Sequence, residues 1–350
     1  MRAHDFLAAL LLMPLSAIAA VTDNFKDPLE LPAAKVAMAT STQLSAVTLA
    51  GSRLVAVGVN GLIITSDDSG KTWQQSTVPS SSDLIAVQFP TPLKGWAVGH
   101  DGIVLHTEDG GSSWTHQFDG RMAKAMLLAH LRTIKDEGNP DADRLLSGVA
   151  LNYGDGPEQA LLDLWFWNAN EGFVVGSFGT LFATHDGGKS WESWMERVDA
   201  DDFFHFNAIR GIGDDIFIAS EQGTVFKLDR ELQRFVPKAT GYNGSLFNLS
   251  GKDSTVVAFG LRGAAYRSTD GGEHWQKLPV APGGTVSDNV VENGRILAVT
   301  RSGQLIASLD QGQSFKVIPV SRPMLFMGLA AVGDNVTIVG LNGVQEVSLK

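Results

Sequence analysis

The stretch THDGGKSW at residues 184–191 indicates the fold of this chain, because close copies of it recur along the sequence. The copies share the pattern Ser/Thr-x-Asp-x-Gly-x-x-aromatic. In this pattern Asp bonds nearby backbone N–H groups, Gly accepts a positive φ, and the aromatic residue resumes a strand. Each copy, which we call a box, is therefore a predicted hairpin turn. The structural box residues are Asp68, Trp73, Asp109, Trp114, Asp186, Trp191, Asp270, Trp275, Asp310 and Phe315.

A second pattern repeats in step with the boxes, namely an apolar run that ends in a turn glycine, as in WAVGHDG at residues 96–102. These glycines recur about every 40 residues, with one interval about twice as long, and such a period is typical of propeller blades with four strands each. The fourth unit has LDRELQRF, residues 228–235, in the place of a box. We predict an all-β fold, a seven-bladed β-propeller over residues 44–350. The turn glycines are Gly61, Gly102, Gly179, Gly223, Gly263, Gly303 and Gly343.

Composition excludes several classes of function. The net charge of −11 argues against nucleic acid or anionic lipid as a partner, because phosphate binding depends on Lys and Arg. The sequence has no cysteine, so it has no disulfide, thiol nucleophile or thiolate metal site. The 8 histidines do not cluster at ligand spacing. We therefore expect no metal site and no cofactor.

The first 20 residues resemble a secretory signal. Arg2 and His4 precede an apolar core at residues 6–15, and small residues follow, with cleavage expected at Ala19 or Ala20. This predicts export to the periplasm. Because no cysteine follows the apolar core, we expect no covalent lipid anchor.

Residues 21–43 form a predicted lead-in to the propeller. Within it, residues 35–42 are strand-like but have no hairpin partner of their own. The last unit, residues 325–350, contains sequence for three strands. We therefore expect the segment near Val36 to supply the outer strand of the last blade, since this would close the ring and remove an open sheet edge.

The long interval between turn glycines contains an insertion at residues 119–160. Apolar residues at helical spacing over residues 122–135 predict an amphipathic helix, and residues 142–149 predict a second, shorter one. Three roles remain open for the insertion: packing against the propeller, binding a partner, or covering a substrate site. If it binds a partner, the candidate contacts are Met126, Leu127 and Leu131.

Strand order predicts which loops share a face. In antiparallel blades the boxes lie on one face, while the glycine turns and the connections between blades lie on the other. The residues of the glycine turns are chemically mixed, and loops held by a rigid scaffold are common binding sites. The candidate binding residues on this face are His100, Asp101, Phe178, Glu221, Arg262 and Arg301.

Glycoside hydrolysis, or carbohydrate binding without hydrolysis, is the alternative function, because sialidases and other glycosidases contain similar boxes. A sialidase needs three arginines and a tyrosine nucleophile, and the 3 tyrosines present do not occupy suitable positions. A two-carboxylate enzyme needs a facing pair, for which Asp163 and Asp288 are the candidates. We interpret both as solvated acids at loop edges, and therefore predict no catalytic residue.

The combined unit GWAVGHDGIVLHTEDGGSSW, residues 95–114, is echoed at residues 171–191 and resembles the repeat of the photosystem II stability and assembly factor family. The resemblance implies a non-enzymatic, seven-bladed propeller that binds proteins during assembly of a membrane complex, in the thylakoid lumen where the organism is photosynthetic. An arginine-bearing surface is associated with that family, and Arg262 and Arg301 are the positions we match to it. The missing lipoprotein cysteine and the long insertion leave the client complex open, either photosystem II or another envelope complex. We expect a monomer.

Overall fold

A computed structural model describes residues 26–154, 156, 159–200, 202–278 and 283–349 of the chain. Seven antiparallel sheets follow one another along this part of the sequence. The first strand of each sheet packs against the first strand of the next, and that of the last sheet packs against that of the first. The sheets thus close into a ring, which confirms the predicted seven-bladed β-propeller. The predicted signal peptide, residues 1–20, lies outside the described residues.

Each blade begins at the central axis and continues outward in chain order. Blades 1 to 3 consist of β1 (Leu44–Ala50), β2 (Arg53–Gly58), β3 (Ile63–Ser66), β4 (Gln74–Gln75), β5 (Leu84–Gln88), β6 (Gly95–Gly99), β7 (Val104–Thr107), β8 (Thr115–Phe118), β9 (Leu161–Phe166), β10 (Gly172–Gly176), β11 (Leu181–Thr184) and β12 (Glu192–Ser193). Blades 4 and 5 consist of β13 (Ala208–Ile212), β14 (Asp215–Ala219), β15 (Thr224–Asp229), β16 (Arg234–Ala239), β17 (Leu246–Lys252), β18 (Thr255–Gly260), β19 (Ala265–Ser268) and β20 (Gln276–Lys277). Blades 6 and 7 consist of β21 (Val286–Glu292), β22 (Arg295–Thr300), β23 (Leu305–Ser308), β24 (Lys316–Ile318), β25 (Phe326–Val332), β26 (Asn335–Gly340) and β27 (Gly343–Ser348).

The core lies between neighbouring blades. The second strands are buried along nearly their whole length, since each is covered by a blade on both sides. For this reason their sequences are continuous apolar runs, in which apolar and polar residues do not alternate. Between blades 2 and 3, the rings of Trp96 and Phe166 stack with centroids 3.9 Å apart.

The boxes bond within themselves. In the second box, Asp109 accepts the Ser113 N–H at 2.9 Å and its hydroxyl at 2.6 Å, while Thr107 donates its hydroxyl to Asp109 at 2.8 Å. In the first box the hydroxyl and the N–H of Thr72 lower the pKa of Asp68 to about 2. The box carboxylates are therefore occupied in holding their turns.

The insertion between blades 2 and 3 is helical, as predicted. It contains α1 (Gly120–Asp136) and α2 (Ala142–Asn152). Helix α1 begins where it does because the Asp119 carboxylate accepts the N–H groups of Arg121 at 2.8 Å and Met122 at 3.0 Å, which satisfies two unpaired donors of the first turn.

Ring closure differs from our expectation. Within the described residues, the sheet of blade 7 has three strands, and the segment around Val36 forms no strand. The Val36 N–H instead donates to the side chain of Gln75 on β4 at 2.9 Å, and a short 3-10 turn, Ala39–Ser41, packs against β27. The predicted ring-closing strand is thus wrong, because the polar side chain of Gln75 fixes this segment to blade 1.

Candidate functional site

The glycine turns of blades 1 to 5 share one geometry. Asn60, Asp101, Phe178 and Arg262 each precede the turn glycine and have φ between 54° and 59°. The residue after the glycine donates its N–H back to the first turn residue, for example Ala264 to Leu261 at 3.1 Å. Only glycine, asparagine and aspartate adopt this left-handed conformation readily. Phe178 and Arg262 therefore hold strained positions, which is more typical of functional sites than of ordinary turns.

The turn glycine itself is required by close packing. At Gly61 a Cβ atom would clash with the carbonyl oxygen of Ser80, and at Gly223 with that of Tyr242. Ser80 and Tyr242 belong to the connections into the next blade. The connections therefore cross directly over the turns, and both lie on one face of the ring. We call this the glycine-turn face and the opposite side the box face.

All six turn residues that the sequence predicted as binding candidates lie on the glycine-turn face. His100 and Arg301 line the mouth of the central channel together with Val59. Leu261 and Leu341, at the first position of the turns of blades 5 and 7, expose 45% and 50% of their surface. Our sequence reasoning missed these two leucines, although extending the comparison of the turns by one residue would have found them.

The acidic candidates are already engaged. Asp101 accepts the hydroxyl of Ser82 at 2.7 Å, and Glu221 accepts the N–H of His205 at 3.0 Å. The ring of Phe178 lies 4.6 Å from that of His205. These contacts fasten the turns of blades 2, 3 and 4 to adjacent connections.

The two arginine candidates differ from the acidic ones in the contacts of their side chains. Among the described residues, neither Arg262 nor Arg301 forms an ion pair, and both side chains are exposed. Their backbone N–H groups are held by Thr285, at 3.0 Å in both cases. Thr285 thus fixes the backbone of both arginines, while their side chains are exposed to solvent. The glycine-turn face of blades 5 to 7 therefore carries cations between exposed leucines.

The structure contradicts part of the assignment made for the insertion. Leu127 and Leu131 of α1 are completely buried, and Met126 is partly buried in the same cluster. They fill the wedge between Phe118 of blade 2 and Phe182 of blade 3. These two leucines are therefore wrong as partner contacts, because the two blades already cover the apolar face of the helix.

The central channel contains a group of charged side chains, of which the sequence analysis named the two acids but not the arginine. Asp163 on β9 forms an ion pair with Arg210 on β13 and accepts the Ile209 N–H at 2.9 Å. Arg210 also lies 4.0 Å from Asp288 on β21. The channel has a volume of about 790 Å³, and all three charged residues line it.

The interpretation of these acids as solvated loop-edge residues is wrong. Asp163 and Asp288 sit within inner strands, and burial raises the pKa of both, that of Asp288 to about 6, although Arg210 opposes the shift. Asp288 also accepts the Leu329 N–H of blade 7 at 3.1 Å. Both carboxylates therefore bond the inner strand of the following blade. Arg210 was missed because only closure of the ring brings it to the acids.

The closed ring, the self-bonded boxes and one exposed, chemically mixed face place this molecule in the class of Asp-box β-propellers. A family model described as "Photosynthesis system II assembly factor YCF48" matches residues 32–122 and 153–324. This is most of the chain, and the chain belongs to that family.

Curated proteins and solved structures are similar to this chain. The photosystem II assembly lipoprotein Ycf48 of Trichormus variabilis is 31% identical over 163 residues, which are 45% of this chain and 48% of that protein. The chain spans about half the length of the curated relatives it matches. A solved structure described as "YCF48 bound to D1 peptide" has a TM-score of 0.63 at 19% identity and covers 89% of this chain and 94% of that one. YCF48 from Cyanidioschyzon merolae gives 0.61 at 16%, covering 88% and 95%.

Two further observations bear on the site. Within the described ranges, no helix has the length and apolar character needed to cross a membrane. The same part of the chain contains no cluster of three or more His, Asp or Glu side chains arranged to hold a metal ion.

Proposed function

We propose that this chain is an exported, non-enzymatic propeller that binds a protein partner during assembly of a membrane or envelope complex. The observation that carries the proposal is that Arg262 and Arg301, which form no ion pair among the described residues, lie on the glycine-turn face of a chain that belongs to an assembly-factor family. Curated relatives are named for photosystem II assembly, and one solved relative is described as bound to a D1 peptide. The partner is thus a peptide segment of a membrane-complex subunit, from photosystem II where the organism is photosynthetic.

The chemistry of the face specifies the segment. Arg262 and Arg301 favour carboxylates, which a guanidinium group binds through two parallel hydrogen bonds. Leu261 and Leu341 offer apolar surface beside them. An acidic segment with apolar residues next to its carboxylates matches this arrangement. Phe178 adds an aromatic contact at blade 3, and aromatic and arginine side chains contribute most binding energy at protein interfaces.

The state of the channel acids supports a non-enzymatic role. A two-carboxylate glycosidase needs one carboxyl group to protonate the leaving group and a second, free carboxylate as nucleophile or base. Asp163 is bonded to Arg210 and to the backbone of Ile209. Asp288 accepts backbone N–H groups of Leu329 and Asn289. Both acids therefore bond the inner strands of neighbouring blades to each other, and hydrolysis is not favoured.

Export follows from the signal-like residues 1–20 and agrees with the name lipoprotein given to curated relatives. We propose the periplasm, or the thylakoid lumen in a photosynthetic organism, as the location. Fractionation of cells that express the full chain tests this. Recovery of an uncleaved chain in the cytoplasm would contradict it.

The binding proposal is tested by site-specific photocrosslinking in intact cells. A photoreactive residue at position 261 or 341 should crosslink to a subunit of a membrane complex. The same residue at position 232 on the box face is the control, since Leu232 is comparably exposed at 61%. The identified segment is then synthesised, and its affinity is measured with Arg262→Ala/Arg301→Ala.

We expect the double arginine variant to bind the segment about tenfold more weakly or worse, with unchanged folding stability. Arg230→Ala on the box face is the matched arginine control and should leave the affinity unchanged. Equal crosslinking from both faces, or wild-type affinity of the double variant, would overturn the proposal.

A further inference from the structure

Blade 7 differs from the other six in the described part of the chain, because its sheet ends at the third strand. Every other blade has a fourth strand, such as β4 in blade 1, that pairs with the third. Within the described residues, β27 is therefore the outer edge of its sheet. An edge strand presents a row of unpaired N–H and C=O groups that favours pairing with another extended chain.

The register of β27 shows which groups face outward. β26 and β27 are joined by the two-residue turn formed by Leu341 and Asn342, so that Gly340 lies opposite Gly343. Since residues flanking such a turn bond each other, every second residue from Gly343 bonds β26 and those between point away. Among the described residues, no backbone hydrogen bond from another element reaches Val344, Glu346 or Ser348.

The N-terminal segment covers only one end of this edge. Its 3-10 turn, Ala39–Ser41, lies against Gly343, where a Cβ atom would clash with the carbonyl oxygen of Thr40. Before that turn, Lys35 donates to the carbonyl of Gln75 on blade 1 at 3.1 Å. Further back, Glu30 forms an ion pair with Arg121 of α1 at 2.9 Å. The described start of the chain is thus fixed beside α1, away from the edge near Glu346.

Glu346 gives the edge a charge preference. Within the described ranges its carboxylate forms no ion pair and accepts one hydrogen bond, from the Thr337 hydroxyl at 2.9 Å. The carboxylate also lies against the box turn of blade 1, where a Cβ atom at Gly70 would clash with it. Glu346 is exposed as a residue, but its carboxyl group is partly buried against this turn, which raises the pKa of Glu346 to about 7. A cation on a neighbouring strand, opposite Glu346, would form an ion pair with this carboxylate.

We propose that the outer edge of blade 7 pairs with an extended segment of a partner protein that places a basic side chain opposite Glu346. The backbone of β27 supplies the hydrogen bonds, and Glu346 sets the register and the charge of the segment. The inference rests on the proposed function in assuming a protein partner, but it uses a surface separate from the arginines of the glycine-turn face. The segment is basic, whereas the one proposed for that face is acidic.

The probe is a synthetic peptide of sequence TVTKTVT with blocked ends, and its binding to the full chain is followed by fluorescence anisotropy. The matched peptide TVTETVT should bind about threefold more weakly, the ratio expected for one cross-strand charge pair. A TVTKTVT peptide methylated on alternate backbone nitrogens should bind about tenfold more weakly, because it cannot complete the ladder. Amide exchange should slow at Val344, Glu346 and Ser348 when TVTKTVT binds.

Glu346→Lys should reverse the preference between the two peptides. The control is Glu231→Lys, an exposed glutamate in a turn of blade 4, which should leave the preference unchanged. Arg262→Ala/Arg301→Ala should bind TVTKTVT normally, so a failure on the glycine-turn face is distinguished from a failure here. Ser348→Pro should weaken binding, since it removes an outward N–H at an edge where proline is tolerated.

Four results would overturn the inference. The first is that TVTKTVT does not bind, and the second is that Glu346→Lys does not change the preference. The third is amide protection of β27 in the isolated protein that disappears when residues 21–25 are deleted, because the chain itself would then occupy the edge. The fourth is a dimer in sedimentation that dissociates in Glu346→Lys, because a second copy would then be the occupant.

Discussion

Arg210 on the inner strand of blade 4 forms an ion pair with Asp163 of blade 3 and lies 4.0 Å from Asp288 of blade 6. One guanidinium group thus lies close to a buried and a partly buried carboxylate, from blades that are not adjacent to each other. Burial raises the pKa of both acids despite this cation. The single positive charge of Arg210 therefore does not fully offset the burial of the two acids in the channel wall.

Asp163→Ala should destabilise the protein by about 3 kcal/mol, because it leaves the largely buried guanidinium of Arg210 without its nearest carboxylate and the Ile209 N–H without its side-chain acceptor. The measurement is urea-induced unfolding. Asp163→Asn should cost less, since the amide oxygen can still accept from Ile209. Asp214→Ala, an exposed acid on the box face, is the control and should change stability by less than about 0.5 kcal/mol. A loss below about 1 kcal/mol for Asp163→Ala would mean that the pair contributes little.

The stability difference between the wild type and Asp288→Asn should depend on pH. The folded pKa of Asp288 is about 6, above its ordinary value of 3.8, so the folded state binds the proton more tightly than the unfolded chain does. The advantage of the wild type is therefore fully present below pH 3.8, decreases as the pH rises, and is lost above about pH 6. Urea unfolding at several pH values should show a total change of up to about 3 kcal/mol. A difference that does not vary with pH would contradict the assignment.

Arg262→Asn should leave the protein as stable as the wild type or more stable, by up to about 1 kcal/mol. Its backbone has φ 56°, which asparagine adopts more easily than arginine. Arg301→Asn is the control, because position 301 is the first residue of its turn and gains nothing from this preference. Thermal unfolding compares the two variants. A marked destabilisation by Arg262→Asn would show that the arginine side chain supports the fold.

The role of the insertion is tested with Leu131→Ala, which should destabilise the protein by about 2–5 kcal/mol because it opens a cavity between blades 2 and 3. Met122→Ala on the same helix is the control, since Met122 is 49% exposed, and it should cost less than about 0.5 kcal/mol. Equilibrium unfolding measures both. If the two variants were equally stable, Leu131 could not be packed as the structure shows.

The sequence by itself determined the repeat, the number of blades and the two faces of the ring. Local rules are sufficient for these, because a box such as residues 107–114 bonds mostly within itself, and the turn glycines mark every unit. The same rules placed Arg262, Arg301 and Phe178 on one face and identified the helical insertion.

Only the tertiary structure decided which side chains meet. Arg210 lies far from Asp163 and Asp288 in sequence and joins them through closure of the ring. The apolar face of α1 is covered by blades 2 and 3, and the segment near Val36 bonds Gln75 and does not complete blade 7. A hydrophobic period shows that a face must be buried but not what buries it, and a strand-like pattern does not specify a partner. Long-range packing makes both choices, and among the described residues it leaves β27 as an edge.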